Sequence, residues 1–168
     1  KNSNIPIIIY NIPGRSVVNM TNGTMKELFK LKNIVGVKDA TADIPRVYSS
    51  RIDIGENFNL LTGDDATCLA FMLYGGHGAI SVTANIAPKL FSDFMNFCLD
   101  GKFQEAAKIN DLLMPLHEAL FIESSPGPVK YAANKLGLCS SEIRLPLTEI
   151  SDETKKTVEQ ALKHASLI

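Results

Sequence analysis

The run Ile5-Pro6-Ile7-Ile8-Ile9-Tyr10 is short, almost continuously apolar and rich in β-branched side chains. A strand wetted on one face alternates apolar and polar residues, whereas an unbroken run fits a parallel strand covered on both faces. The segment Asn11-Ile12-Pro13-Gly14-Arg15 then ends it as a loop. From about Thr24 to Leu31 the apolar residues Met25, Leu28, Phe29 and Leu31 recur at helical spacing, and Ile34 to Val37 returns to strand character. The same alternation predicts a helix from about Ile44 to Ile52 entered through Pro45 and a strand from Asn59 to Thr62. A helix from Ala66 to Leu73 and a strand from Ala79 to Val82 follow. Strand and helix in alternation imply a parallel sheet. Past Pro88 the pattern changes, and Leu90–Leu99, Phe103–Leu120, Val129–Leu136 and about Asp152–Leu167 read as successive helices. Four βα units and a helical tail make an α/β fold that is half of a (β/α)8 barrel with an appendage, where a complete barrel takes about 200 to 250 residues. The expected division is 1–88 for the half barrel and 89–168 for its last helix and the helical region.

Composition narrows the function classes. With 45% hydrophobic and 21% charged residues over 168 positions, the chain can bury a substantial core. Seventeen basic residues stand against eighteen acidic ones, for a formal charge of -1 and no basic block, which argues against nucleic acid or a membrane surface as partner. Cys68, Cys98 and Cys139 are widely spaced and odd in number. That suits neither a disulfide framework nor a CxxC metal site and points to a reducing, cytoplasmic setting. No apolar run approaches the roughly 18 residues of a membrane span. The opening KNSNIPIIIY has neither an initiator Met nor the pattern of a signal peptide, and reads as a piece of something longer.

In a parallel βα barrel the reactive groups sit at the C-terminal ends of strands, here Tyr10, Lys38, Thr62 with Asp64, and Ser81 with Thr83. Lys38 ends the apolar stretch Ile34-Val35-Gly36-Val37. A lysine among apolar neighbours at a barrel mouth can offer a neutral amine that attacks a ketone to form an imine. A strand-end lysine paired with a carboxylate would read the same way. Tyr10 closes the preceding strand, where a phenol can move protons or simply pack. Arg15, in a Pro-Gly turn, offers a planar fork for a substrate carboxylate, although an exposed loop arginine looks no different. The glycines of Tyr74-Gly75-Gly76-His77-Gly78 match neither a P-loop nor G-x-G-x-x-G and read as a structural turn. His77, His117 and His164 lack metal-ligand spacing, so no metal site is expected. Asp64 and Asp65 are expected to cap the helix that follows them.

YNIPGR at Tyr10–Arg15, GVKDAT at Gly36–Thr41, LLTGDD at Leu60–Asp65 and GGHGAISVTAN at Gly75–Asn85, in this order, closely resemble the dihydrodipicolinate synthase family. The resemblance continues through LMPLHEALF at Leu113–Phe121, PVKYAANKLGL at Pro128–Leu138 and RLPLTEI at Arg144–Ile150. It implies the C-terminal half of a (β/α)8 barrel, strands five to eight, in a lyase of the diaminopimelate route to lysine. It also implies pyruvate and L-aspartate 4-semialdehyde as substrates, a homotetramer as assembly, and no cofactor. Lys38 would be the imine-forming lysine, Tyr10 part of the proton relay, Arg15 the partner of the second substrate's carboxylate, and Ile80 a position whose backbone faces the pyruvate site. Ser16-Val17 stands where that family often has Thr-Gly, and Asp39 where it commonly has Glu. The family's paired threonines, the tyrosine it donates across a subunit interface and most of its lysine-feedback site would precede this sequence, so the 168 residues alone are expected to be inactive. N-acetylneuraminate lyase or another pyruvate-dependent aldolase resembles the chain at the tyrosine and lysine motifs, but has less use for a cation at Arg15. A non-catalytic half barrel that binds another chain is the alternative outside enzymes.

Overall fold

The computed structural model describes residues 3–168. The chain divides into two compact units, one ending at Ser81 and the other running from Val82 to Ile168. The first holds a four-stranded sheet, β1 (Ile7–Asn11), β2 (Ile34–Asp39), β3 (Asn59–Thr62) and β4 (Gly78–Ala79), paired in that order and parallel throughout. Between the strands run α1 (Pro13–Ser16), α2 (Asn22–Phe29), α3 (Ile44–Ile54) and α4 (Cys68–Leu73). This is half of a (β/α)8 barrel.

Local chemistry explains where these elements begin and end. Pro6 has no N–H to give to a ladder, so β1 starts after it rather than at Ile5. The expected loop at Asn11–Arg15 contains a single helical turn instead. Pro13 presets its first φ, and the Arg15 and Ser16 N–H groups both donate to the Ile12 carbonyl at 3.0 Å. α2 begins two residues before the expected start because the Thr21 hydroxyl accepts the Thr24 N–H at 3.1 Å. Strand β4 is much shorter than the expected Ala79–Val82. Among the described residues it pairs only with β3, the Ile80 N–H adds one bond to the Thr62 carbonyl at 2.9 Å, and Val82 is already helical ahead of a 3₁₀ turn at Thr83–Asn85.

Side chains alternate across the sheet. One face carries Val37 and Leu60 into a core with Met25 of α2, Val47 of α3, Phe71 of α4 and Phe58, the last meeting Phe29 edge-on at 5.1 Å between ring centres. A Cβ on Gly36 would lie 2.4 Å from the Asn59 carbonyl oxygen, so glycine is what lets β2 and β3 approach there. The opposite face is open, with Ile8 43%, Tyr10 49% and Ile80 45% exposed.

The second unit is helical: α5 (Pro88–Leu99), α6 (Phe103–Ala119), α7 (Gly127–Lys135) and α8 (Asp152–His164). Phe91, Phe94 and Cys98 of α5 are buried, as are Ala106, Leu113 and Leu116 of α6. Burial pushes the Cys98 thiol up to about 11, which keeps it protonated and inert. α8 opens on Ser151, whose hydroxyl accepts the Thr154 N–H at 3.2 Å, and carries acidic residues in its first turn and Lys163 and His164 in its last. Among the described residues no helix is long and apolar enough to cross a membrane.

Candidate active site

Tyr10 and Lys38 are direct partners in the parallel register of β1 and β2, so their side chains leave the same face of the sheet side by side. The Lys38 Nζ lies 4.1 Å from the centre of the Tyr10 ring, within contact of the aromatic face. Both residues close their strands with one more residue to follow, Asn11 in β1 and Asp39 in β2. Because direction alternates, these two successors point the other way, into the layer between sheet and helices.

There they meet. Asn11 Nδ2 donates to Asp39 Oδ2 at 3.3 Å and to Asn19 Oδ1 at 3.0 Å, and Asn11 Oδ1 accepts the Met20 N–H at 3.1 Å. The Asp39 carboxylate also takes the Thr41 N–H at 2.9 Å, the Thr41 hydroxyl at 2.5 Å and Arg46 Nε of α3 at 2.8 Å. Arg46 donates a further short bond to the Met20 carbonyl. Asn11 and Asp39 are buried. A buried ion pair with its remaining lone pairs satisfied fixes geometry more than it adds stability. Here it ties the ends of β1 and β2 to each other and to α3, immediately behind Tyr10 and Lys38. Sequence reading singled out neither Asn11 nor Arg46, and took Asp39 only as a departure from a family pattern. The signal available was a polar residue ending each of two apolar strands, followed by an arginine in the next helix.

Arg15 lies exposed on α1, directly after β1, and so at the same C-terminal edge of the sheet as Tyr10 and Lys38. The turn ends at Val17, whose N–H donates to the Pro13 carbonyl at 2.9 Å and whose φ of 60° is left-handed. A β-branched residue is strained there. Ile80 follows β4 two residues past Gly78, which stands in the register row of Leu61 and Lys38, so it faces the same side of the sheet as Lys38 but lies two strands across and two residues further along. The geometry therefore joins Tyr10 and Lys38 directly and puts Arg15 and Ile80 at the same edge of the sheet.

The other polar candidates have structural partners. Asp64 Oδ2 accepts the Thr67 N–H at 3.0 Å and the Thr67 hydroxyl at 2.6 Å, closing a turn ahead of α4 instead of capping its first helical turn. This turn delays the helix from the expected Ala66 to Cys68. His77 extends the ladder with its side chain, Nδ1 accepting the Leu60 N–H at 2.9 Å while its own N–H donates to the Leu60 carbonyl at 2.8 Å. In the helical unit, His117 Nδ1 pairs with the Thr83 hydroxyl at 2.8 Å. Among the described residues no three His, Cys, Asp or Glu side chains are grouped to hold a metal.

The sequence model of the Dihydrodipicolinate synthetase family matches residues 1–165. A curated 4-hydroxy-tetrahydrodipicolinate synthase from Afipia carboxidovorans is 57% identical over 164 residues, which is 98% of this chain and 55% of that protein. The crystal structure of dihydrodipicolinate synthase from Aquifex aeolicus superposes with a TM-score of 0.95 at 40% identity, over 98% of this chain and 57% of that one. The chloride-inhibited enzyme from Acinetobacter baumannii, crystallised with pyruvate, superposes with a TM-score of 0.95 at 41% identity over 99% and 57%. The chain thus spans a little over half the length of the relatives it matches.

Proposed function

This chain belongs to the dihydrodipicolinate synthetase family, and on that premise we propose that it supplies the imine-forming half of a synthase joining pyruvate to L-aspartate 4-semialdehyde. The observation that carries the reading is the Lys38 amine lying against the face of Tyr10 at the C-terminal edge of a parallel half barrel. The Lys38 amine adds to the ketone carbon of pyruvate, and loss of water leaves an imine. Removal of a methyl proton gives an enamine whose carbon attacks the aldehyde. The amino group of the second substrate then displaces Lys38 as the ring closes, regenerating the free amine. Each step moves a proton to or from nitrogen, oxygen or carbon, and Tyr10 is the phenol within reach of that traffic. Arg15 takes the carboxylate of the aldehyde substrate, and the Ile80 backbone borders the pyruvate. The imine is itself the electron sink, so the sequence of steps calls for neither an organic cofactor nor a metal.

Support for pyruvate comes from the relative crystallised with it. By the same resemblance the working protein is a homo-oligomer, a tetramer, and acts in the cytoplasm on the route to diaminopimelate and lysine. The near-neutral charge gives no reason to invoke nucleic acid. A substrate panel on the intact protein that contains these residues tests the reading. Turnover should require pyruvate with aspartate semialdehyde and vanish in Lys38→Ala. Preference for N-acetylmannosamine as the second substrate would move the protein to the sugar-acid lyases, and binding of another chain without turnover would make it an interaction module.

A further inference from the structure

The aliphatic shaft of Lys38 lies where the side chain of residue 63 would otherwise begin. A Cβ built on Gly63 would sit 2.7 Å from Lys38 Cε, 3.2 Å from its Cγ and 3.0 Å from the Ala40 Cβ. Non-bonded carbons rest at about 3.5 to 4.0 Å, so the lysine already fills that space. The backbone at Gly63 has little room to retreat. Its N–H donates to the Asp39 carbonyl at 2.7 Å, and the Thr62 hydroxyl bridges to Asp64 through its N–H at 3.0 Å and its carbonyl at 3.1 Å. Gly63 is also not among the glycines with positive φ, so its backbone conformation does not call for glycine. What calls for it is the lysine lying across it.

We propose that Gly63 is a positioning residue for the imine-forming amine. It is a seat without a side chain, across which the Lys38 shaft lies so that Nζ is held at the Tyr10 ring and aimed at the ketone. The role rests on the reading of Lys38 given above, and Gly63 acts through that lysine rather than on the substrate. A methyl group here meets the far end of a flexible side chain, which yields readily, together with the Ala40 methyl, which does not. The fold should therefore tolerate Gly63→Ala when Ala40 is reduced to glycine, while Lys38 still has to move.

The experiment compares wild type, Gly63→Ala and Gly63→Ala/Ala40→Gly in the intact protein. It measures the rate at which borohydride traps pyruvate on the Lys38 peptide at subsaturating pyruvate, kcat/KM for pyruvate, and the thermal midpoint. Misplacing a reacting group by about 1 Å can slow a reaction about a hundredfold. Trapping and kcat/KM for pyruvate should fall together by about tenfold or more in both variants, with the double variant melting as wild type does. A fall of less than about fivefold in the folded double variant overturns the proposal, as does failure of both variants to fold, which would mean that glycine serves the backbone. If wild type itself traps no pyruvate on Lys38, the functional reading fails and not the seat alone.

Discussion

Lys38 and Tyr10 meet because a parallel register sets residues 10 and 38 opposite one another, and strand alternation sends both to the same face. This much was legible in the sequence, where each ends an apolar run. Their successors were not legible as a pair. Asn11 and Asp39 are 28 positions apart and touch only once β1 and β2 are zipped, while Arg46 reaches Asp39 from seven positions on by way of a helix. Periodicity finds strands but does not say which polar ends will share a carboxylate. Arg15 is tested at this scale. If its guanidinium meets the carboxylate of the aldehyde substrate, Arg15→Ala removes a charge-assisted contact worth about 1.5 to 3 kcal/mol. Steady-state kinetics should then show kcat/KM for aspartate semialdehyde lowered by about one to two decades, with pyruvate trapping on Lys38 unchanged. An equal loss of trapping would contradict the role.

Among the elements, the helices were legible from their spacing, and two of their starts shifted where a side chain took hydrogen bonds of its own. The Thr21 hydroxyl starts α2 early and the Asp64 carboxylate starts α4 late. α1 was read as loop because one turn is too short to show a period, and β4 was overdrawn because an apolar run says nothing about how many ladder partners it has. Two predictions belong here. Asp39→Ala would leave the Arg46 guanidinium without its carboxylate in the layer between β2 and α3, which should destabilise the protein by about 3 to 5 kcal/mol in urea unfolding. Val17, left-handed and 91% exposed at the end of α1, stands where the family resemblance expects glycine. Val17→Gly should raise the unfolding midpoint by the equivalent of about 1 kcal/mol, because relief of left-handed strain outweighs the added chain entropy.

In the molecule as a whole, the sheet has two consequences. Its helix-facing side is a finished core, whereas Ile8, Tyr10 and Ile80 stand roughly half exposed on the other face, where a closed barrel layers side chains from alternate strands. The 168 residues expressed alone should therefore self-associate in sedimentation analysis and give synthase activity near background, and co-expressed residues completing the barrel should restore turnover. Near-native turnover by a monodisperse preparation of these residues would mean that the catalytic machinery is smaller than proposed. The most direct measurement is chemical. The intact protein is incubated with pyruvate, reduced with borohydride, digested and analysed by mass spectrometry. The account predicts that the peptide containing Lys38 gains the mass of pyruvic acid less one oxygen atom, and that Lys38→Ala gains nothing. An active protein that traps no pyruvate, or traps it on another lysine, would contradict it.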